Sequence, residues 1–314
     1  METQVIERDE EFEVCVPEGQ YNLIEPFELV QMKVSRPRTA LIILNQLIQE
    51  IDLTYLWANC ELVVCADGGA NQLYDYFYSE SERCQYIPQF IVGDMDSLKR
   101  EVREYYQSKG CRVIAQYTQY ASDFMKAMQL AQTYFHSIEF QHKLKFDNID
   151  DYDGLPKLSE SIEVPNTDPI EVYVLSSIGG RFDQTIHSIN QLYVLHELYP
   201  QNKLYLITQH DIIFLLTKGK NFVKYHSKSI IHSNQIPIAG LLPIGAEVIL
   251  NTQGLKWDVV NWKSSMKGNV SSSNWLMGIN GVLIDTTDII VMNVEFQHNK
   301  SNHSLPEIEN TKEP

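Results

Sequence analysis

The sequence predicts an α/β fold, in which a mostly parallel sheet with flanking helices is followed by an antiparallel β-sandwich domain. From residue 39 to about 208, short apolar runs typical of buried strands alternate with segments whose apolar residues recur at helical spacing. After residue 211 the apolar runs are short, Gly, Pro, Asn and Ser separate them, and no long helical pattern follows. Strands that are apolar on both faces and alternate with helices indicate a parallel sheet wrapped by helices.

The elements of the α/β part can be placed in chain order. The predicted strands are residues 39–45, 61–66, 89–92, 111–117, 172–177 and 203–208. Each of the first five is followed by a helical stripe, in turn Leu47, Ile48 and Ile51; Ala70, Leu73, Tyr74 and Phe77; Leu98, Val102, Tyr105 and Tyr106; Phe124, Met128, Ala131 and Phe135; and Ile186, Ile189 and Tyr193.

At 314 residues the chain is long enough for two domains. We predict an N-terminal extension (1–38), an α/β domain (39–210) with an acidic insertion at about 141–170, a β-sandwich domain (211–298) and a tail (299–314). Residues 1–13 hold six acids and one Arg, and residues 147–171 are rich in acids and prolines. We therefore expect both segments to lie outside the packed fold, the second as a solvated insertion or mobile loop.

The charge of the chain limits its partners. Lys and Arg total 25 against 41 Asp and Glu, a net charge of −16, which repels nucleic acid. No stretch reaches the roughly 18 apolar residues of a membrane span, and the acidic N-terminus does not resemble a signal peptide. Five cysteines without a CxxC pair indicate free thiols in a reducing compartment, so we expect a cytoplasmic protein.

Polar turns follow four of the predicted strands. Because the carboxyl ends of parallel strands meet at one edge of a sheet, where such folds bind ligands, these turns are expected to lie together. They are Asp67-Gly68-Gly69, the pair Asp94 and Asp96, the group Gln119, Ser122 and Asp123, and the run from Gly179 to Gln184.

Asp94 and Asp96 are like charges two residues apart, and they repel each other. Taken alone, the pair is explained by the preference of Asp for turns and for the first turn of a helix. Four Asp-bearing turns on one edge favour the other explanation, a divalent metal. Magnesium prefers a few carboxylates together with phosphate oxygens.

A nucleotide would have to be held without a known glycine-rich loop, because the chain contains neither GxxxxGK[ST] nor GxGxxG. Gly68 and Gly69 let the backbone approach a ligand at a helix N-terminus, or else they form only a tight turn. Lys126 is placed to reach a phosphate or to pair with Asp123 three residues earlier. Arg181, in a glycine-rich turn, is either a phosphate clamp or an ordinary surface residue.

Two motifs stand out in the β-rich part. GLKWDV contains Trp257, and SSSNWL contains Ser273 and Asn274. A Trp in a β-domain is usually part of the core, and a Ser-Ser-Ser-Asn run is usually a turn, so neither motif alone indicates a function.

Six motifs in this order resemble thiamin pyrophosphokinases, especially the longer fungal members: VVCADGGANQLYDY, PQFIVGDMDSL, SDFMKAM, GGRFDQTIHSINQLY, GLKWDV and SSSNW. The resemblance extends from about Ala40 to Val294. It implies transfer of a pyrophosphoryl group from Mg-ATP to the hydroxyl of thiamin, giving thiamin diphosphate and AMP. It also implies a homodimer whose active sites lie at the subunit interface.

The resemblance assigns roles to individual positions. Asp94, Asp96 and Asp123 would hold magnesium, and these three and Asp183 would be the catalytic residues, with Asp183 lining the nucleotide and phosphate region. The nucleotide and its phosphates would meet Asp67, Gly68, Gly69, Lys126, Arg181 and Gln184. Thiamin would meet Gln119, Trp257, Ser273 and Asn274.

One stretch departs from the family pattern. Where the family has a run like Asp-Gln-Asp-x-Thr-Asp, this chain has Thr-Gln-Tyr-Ala-Ser-Asp at 118–123. The number of metal ions and the identity of a general base therefore stay open. Two alternatives also stay open: another Mg-dependent D-x-D enzyme, such as a glycosyltransferase or an aspartyl-phosphate phosphatase, and a non-catalytic thiamin-binding homologue.

Overall fold

The computed structural model describes residues 2–28, 36–48, 51–161, 168–231 and 235–296. The strands are β1 (Gln4–Glu7), β2 (Asn22–Ile24), β3 (Arg36–Ile43), β4 (Cys60–Ala66), β5 (Phe90–Gly93), β6 (Arg112–Ala115), β7 (Glu171–Leu175), β8 (Lys203–Ile207), β9 (Asp211–Leu216), β10 (Gly219–Lys224), β11 (Ile238–Leu242), β12 (Val248–Gln253), β13 (Trp257–Val260), β14 (Trp262–Ser264), β15 (Ser271–Trp275), β16 (Gly281–Thr286) and β17 (Ile290–Glu295). The helices are α1 (Leu53–Asn59), α2 (Gly69–Tyr76), α3 (Glu80–Arg83), α4 (Arg100–Ser108), α5 (Asp123–His136), α6 (Ile138–Phe146), α7 (Gly154–Glu160), α8 (Phe182–Leu198) and α9 (Lys228–Ile231).

A ten-stranded sheet runs through the molecule in the order β15-β11-β17-β9-β8-β7-β3-β4-β5-β6. The six strands from β8 to β6 are parallel. Apolar side chains of α1, α2 and α4 pack on one face of these strands, and those of α5, α6, α7 and α8 pack on the other. This arrangement confirms the predicted α/β fold class with flanking helices.

The antiparallel part continues the same sheet. β9 pairs antiparallel with β8, so the predicted boundary near residue 210 falls between two paired strands. A second sheet, in the order β14-β12-β16-β10-β2, faces the antiparallel strands. Phe214 and Leu216 from the large sheet and Leu250 and Ile284 from the second belong to one buried cluster, which forms the sandwich.

The N-terminal segment is part of the fold, so the prediction that residues 1–13 lie outside it is wrong. β1 pairs antiparallel with β13, β2 pairs parallel with β10, and Val14 is buried. The side chains of β1 are mostly exposed, so the strand has no local apolar pattern to reveal it. It is held by backbone pairing with residues about 250 positions later.

The acidic segment is also packed over residues 149–160, so its prediction as a solvated loop is wrong there. Leu155 and Leu158 are buried on α7, and Ile149 precedes them in the same cluster. The buried Gln116 amide donates to Ile149 O at 2.8 Å and accepts from Leu155 N at 2.8 Å. Residues 162–167 of this segment and the predicted tail lie outside the described residues.

The helical stripes are confirmed in α5, whose buried face includes Phe124, Met128, Ala131 and Phe135. Two other predictions are wrong. The helix described after β3 is Leu53–Asn59, downstream of the predicted stripe of Leu47, Ile48 and Ile51. α8 buries Ser188, Gln191, Leu192 and Leu195 instead of the stripe that begins at Ile186, and the apolar residues Phe182 and Ile186 in its N-terminal half are exposed. In the described part of the chain, no helix is long and apolar enough to cross a membrane.

Candidate active site

The carboxyl ends of β4, β5 and β6 bring three acidic side chains together. Asp67 follows β4, Asp94 follows β5, and Asp123 is the first residue of α5. One carboxylate oxygen from each of the three lies within 4.8 Å of the other two. Three negative charges this close repel each other strongly unless a cation lies among them. The group therefore has the composition and spacing of a site for a hard divalent cation.

Asp67 is held in place by its backbone and one hydrogen bond. Its φ of +42° lies in the left-handed region, which is uncommon for a non-glycine residue. Asp67 N donates to Val92 O at 2.9 Å, and Asp67 Oδ2 accepts from Ser97 N at 2.9 Å. Within the described residues, the buried Oδ1 has no hydrogen-bond partner. A buried carboxylate oxygen without a donor is the kind of atom that a bound cation would satisfy.

Gly93 makes room for this group at the end of β5. A Cβ at this position would lie 2.6 Å from the Cβ of Asp67 and 3.1 Å from Asp123 Oδ1. Any side chain here would force the two carboxylates away from their positions. Gly93 is therefore a packing requirement of the acidic group, and it lies directly before Asp94 in the sequence.

Asp123 is positioned by the start of α5. Ser122 caps the helix, with its Oγ accepting from Met125 N at 3.2 Å, as the sequence predicts. Lys126, whose side chain is buried, places Nζ 3.0 Å from Asp123 Oδ1. The i,i+3 ion pair that the sequence left open is thus present, and it adds one positive charge beside the three carboxylates.

The pKa values reflect this crowding. Burial raises the pKa of Asp67 to about 6; the hydrogen bond from Ser97 opposes the rise, and the nearby carboxylates add to it. Burial also raises the pKa of Asp123, against the opposing hydrogen bond from Lys126. For Asp94, burial works in the same direction, but hydrogen bonds from Gln119 and the backbone of Asp96 hold its pKa below its usual value.

Asp96 lies directly beside this group, two residues after Asp94. Within the described residues it is not a member of the three-carboxylate group, where Asp67 takes the third position. Asp96 N donates to Asp94 Oδ1 at 3.2 Å, and Asp96 Oδ1 accepts from Ser97 Oγ at 2.8 Å. Met95, between the two acids, has a φ of +69°, which is an uncommon backbone conformation for a non-glycine residue.

Gln119 also lies at the acidic group. Its Nε2 donates to Asp94 Oδ2 at 3.1 Å, so its amide orients one of the carboxylates. The family resemblance assigns Gln119 to thiamin, and the structure places its side chain beside the acidic group.

The glycines after β4 pack closely against the loop after β3. A Cβ at Gly68 would lie 2.3 Å from Asn45 Nδ2, and one at Gly69 would lie 2.1 Å from Ile43 O. A Cβ at Gly180 would lie 2.2 Å from Gln46 Oε1. Asn45 and Gln46 therefore link the two glycine turns at this edge, and sequence reasoning missed both. Their signal is the polar Asn-Gln pair directly after an apolar strand.

The turn after β7 presents charged residues to solvent. Arg181 and Asp183 are exposed and paired, with Arg181 Nε donating to Asp183 Oδ1 at 3.0 Å. Gln184 is exposed one residue further along α8.

Ser176 and Ser177 precede this turn and were also missed. Both hydroxyls are buried without a hydrogen-bond partner in the described part of the chain. Ser176 has a φ of +59°, so it shares the uncommon left-handed backbone of Asp67.

The remaining predicted residues lie on the β-rich part. Asn274 is buried, and its side-chain amide holds the backbone of Trp257: Oδ1 accepts from Trp257 N and Nδ2 donates to Trp257 O, both at 3.1 Å. It therefore positions Trp257. Trp257 is partly exposed, Ser273 is exposed with a φ of +56°, and the rings of Trp257 and Trp275 are 6.4 Å apart. A cavity of about 210 Å³ opens beside Trp257 and Asn274.

The two groups of predicted residues are far apart along the sheet. β15, which carries Ser273 and Asn274, is one edge strand, and β5, which precedes Asp94, is eight strands away. At about 4.8 Å per strand, the separation is about 38 Å along the sheet. The acidic group and the Trp257 region therefore do not meet in one chain.

The α/β part and the β-rich part of the chain each match a model of a known protein family. The family model described as "Thiamin pyrophosphokinase, catalytic domain" matches residues 53–206, and "Thiamin pyrophosphokinase, vitamin B1 binding domain" matches residues 228–291. The chain is 42% identical over 273 residues to thiamine pyrophosphokinase of Saccharomyces cerevisiae, a match that covers 82% of this chain and 85% of the relative.

Two solved structures share the fold and much of the sequence. Thiamin pyrophosphokinase from Candida albicans is 43% identical with a TM-score of 0.86, and the match covers 95% of this chain and 99% of that one. Yeast thiamin pyrophosphokinase is 38% identical with a TM-score of 0.83, covering 93% and 97%. The chain therefore belongs to the thiamin pyrophosphokinase family.

Proposed function

We propose that the protein transfers the pyrophosphoryl group of ATP to the hydroxyl of thiamin, forming thiamin diphosphate and AMP. The observation that carries the proposal is the group of Asp67, Asp94 and Asp123 at the edge of the parallel strands, in a chain that matches both domains of the family. Reactions of this kind depend on positioning and charge neutralisation and need no covalent nucleophile.

Asp67, Asp94 and Asp123 are the residues that would hold Mg²⁺. The free Oδ1 of Asp67 and the close spacing of the three carboxylates fit a hard cation. When bound, magnesium neutralises negative charge on the phosphate oxygens and orients them. In this proposal Asp96 acts through its backbone, because its N–H donates to the Asp94 carboxylate and orients it.

Several residues of the chain are placed to act on ATP beside this site. Lys126 holds a buried positive charge next to Asp123, which offsets part of the negative charge where the phosphates would lie. Arg181, at the N-terminus of α8, can exchange its exposed partner Asp183 for a phosphate, because an exposed pair is weakly held. Gly68 and Gly69 open the N-terminus of α2 at the same edge.

Thiamin is proposed to bind at Trp257. Its thiazolium ring is a flat cation, and the face of an indole ring attracts such a cation by about 1–2 kcal/mol when water is excluded. The net charge of −16 also draws a cationic substrate toward the protein.

We further propose a homodimer in which each site is shared between two subunits. The acidic edge and the Trp257 region are about 38 Å apart along one sheet, so one chain alone does not bring both to one substrate. The acidic edge also carries exposed apolar side chains, including Tyr120 at 95% exposure and Phe182 at 77%. A partner's β-rich part placed over this edge would cover them, and twofold symmetry would create two equal sites.

We place the protein in the cytoplasm. The five cysteines are free thiols, spread between buried and exposed positions, as expected for a reducing compartment.

The two alternative functions, another Mg-dependent D-x-D enzyme and a non-catalytic thiamin-binding homologue, explain the chain less well than the proposed reaction does. A glycosyltransferase or phosphatase that uses Asp94 and Asp96 leaves the matched vitamin B1 binding domain without a role. A non-catalytic homologue leaves unexplained why three acids are held together at a cost in repulsion.

The direct test is to incubate the protein with Mg-ATP and thiamin and to separate the products by chromatography. We expect AMP and thiamin diphosphate in equal amounts, and no product when EDTA replaces magnesium. Asp94→Asn should form less than about 1% of the product, because it removes a charge from the proposed metal site. Formation of ADP, or of AMP without thiamin diphosphate, would reject the proposed reaction.

A further inference from the structure

The N-terminal segment Gln4–Arg8 lies against the strand that carries Trp257. β1 pairs antiparallel with β13, with Glu7 opposite Trp257 and Val5 opposite Val259. Arg8 N also donates to Lys256 O at 2.7 Å. The matched family regions begin at residues 53 and 228, so neither of them includes this segment.

Arg8 is joined to Trp257 through the neighbouring Asp258. The Asp258 carboxylate is buried and accepts hydrogen bonds from Thr252 Oγ1, Gly254 N and Leu255 N at 3.0 to 3.2 Å. Arg8 Nε lies 3.1 Å from Asp258 Oδ2. A buried carboxylate needs a compensating charge, and Arg8 supplies it. Arg8, from the N-terminal segment, therefore stabilises the turn at Gly254 and Leu255 that precedes Trp257.

A second ion pair from the segment reaches the aromatic surface. Lys256 Nζ lies 5.7 Å from the ring centroid of Trp257 and 5.2 Å from that of Trp275. Glu7 Oε1 lies 3.6 Å from the same Nζ. A cationic substrate would compete with Lys256 for these two rings. The contact with Glu7 therefore helps to set where the ammonium group of Lys256 lies.

Val5 forms part of the wall of the 210 Å³ cavity. The lining residues are Val5, Leu241, Leu250, Thr252, Leu255, Trp257, Val259, Trp262, Val270, Ser271, Ser272 and Asn274. None of these side chains is charged, so the cavity suits a flat heteroaromatic ring rather than a phosphate group. Val5 reaches it from an exposed strand, so its size can change without disturbing the core.

We propose that Gln4–Arg8 forms one wall of the thiamin-binding cavity. Val5 is a specificity-determining residue for the substituents of the thiamin rings, and Arg8 is a positioning residue that holds Trp257 through Asp258. The inference rests on the proposed function, because it takes thiamin as the occupant of the cavity.

The first test changes the size of residue 5. Val5→Phe should raise KM for thiamin about tenfold, because the larger ring fills space that the substrate needs, while KM for ATP stays within about twofold. Leu23→Phe, on the exposed strand β2 and outside this cavity, is the matched control and should change neither value. An unchanged KM for thiamin in Val5→Phe would overturn the role of Val5.

The second test removes the charge of residue 8. Arg8→Met should raise KM for thiamin five- to tenfold and weaken the quenching of tryptophan fluorescence by thiamin, and Arg8→Lys should restore most of both. Arg100→Met, which breaks an exposed ion pair with Glu104, is the control and should change neither. Because Arg8→Met leaves Asp258 buried without its counter-charge, Arg8→Met/Asp258→Asn is measured as well. A lower melting temperature with unchanged KM in both Arg8 variants would show a merely structural ion pair.

The two proposals fail in different ways. If the unmodified protein makes thiamin diphosphate and the variants behave like it, only the inference about Gln4–Arg8 is rejected. If the unmodified protein binds thiamin without turnover and Val5→Phe weakens that binding, the inference stands and the reaction is rejected. If thiamin does not quench the unmodified protein at all, the inference is rejected.

Discussion

Asp67 combines a left-handed backbone, a buried carboxylate and two acidic neighbours within 4.8 Å. Each of these features is unfavourable in the free protein. Strained or repelling groups persist at functional sites because the bound ligand relieves them. At the scale of single residues, Asp67 is therefore a sensitive probe of the metal assignment.

We predict that Asp67→Asn stabilises the metal-free protein and removes its response to magnesium. The amide keeps the hydrogen bond from Ser97 but loses the repulsion by Asp94 and Asp123, a gain of about 1–3 kcal/mol. Thermal melts with EDTA and with magnesium would measure both effects. Asp75→Asn removes an acid from an exposed pair with Lys99 and should leave both melts unchanged. A normal magnesium-dependent rise in melting temperature in Asp67→Asn would contradict the site.

The sequence predicts that Asp67, Asp94 and Asp123 share one edge, but it does not predict which acids converge. The three are brought together by the left-handed backbone of Asp67 and by the space that Gly93 leaves beside Asp67 and Asp123. Asn274 is a similar case, since its partners are backbone atoms of Trp257, seventeen positions away in sequence. Short motifs identify such residues without showing what they contact.

At the scale of elements, the packed part of the acidic segment shows how composition can mislead. Residues 147–171 are rich in acids and prolines, yet Leu155 is fully buried, and the Gln116 side chain hydrogen-bonds to Ile149 O and to Leu155 N. When the composition is averaged over the whole segment, the acidic and proline residues mask the few buried apolar ones, Ile149, Leu155 and Leu158. The contact with Gln116 is about 39 positions distant, so no local pattern shows it.

We predict that Leu155→Ala destabilises the protein by about 2–4 kcal/mol, the usual cost of a cavity at a buried leucine. Urea unfolding would measure the loss as a lower midpoint. Leu198→Ala, at an exposed position near the end of α8, is the matched control and should change the stability by less than about 0.5 kcal/mol. If Leu155→Ala and Leu198→Ala unfold alike, α7 does not belong to the cooperative fold.

Regular elements were the easier part to predict. The parallel strands and α5 follow from apolar periodicity, because their side chains pack on both faces of one sheet. The buried face of α8 did not follow, since Ile186 and Phe182 are exposed apolar residues. Prediction from apolar periodicity assumes that apolar residues face the core of their own chain. That assumption fails where a second subunit is expected to cover them.

At the scale of the whole molecule, the shared-site dimer makes a quantitative prediction. Asp94→Asn and Trp257→Ala should each be nearly inactive alone. After subunit exchange at equal amounts, half of the dimers are mixed, and each mixed dimer has one site with both changes and one with neither. About a quarter of the original activity should therefore return.

The control mixes Asp94→Asn with Asp123→Asn. Both changes lie in the same half of the site, so every site retains a defect and no activity should return. Exchange is verified by native mass spectrometry of subunits that differ in mass. Confirmed exchange without recovery in the first mixture would show that each subunit completes its own site.

The pairing of β1 with β13 and of β2 with β10 has a consequence for how the protein is synthesised. β1 and β2 leave the ribosome before their partners, which are made about 250 and 200 residues later. At about 5–20 residues per second, β1 waits for roughly 10–50 s with its backbone groups unpaired. Six acids in residues 1–13 give this waiting strand a negative charge, which opposes pairing with other nascent chains. We therefore expect the acids of residues 1–13 to protect β1 during translation until β13 is made.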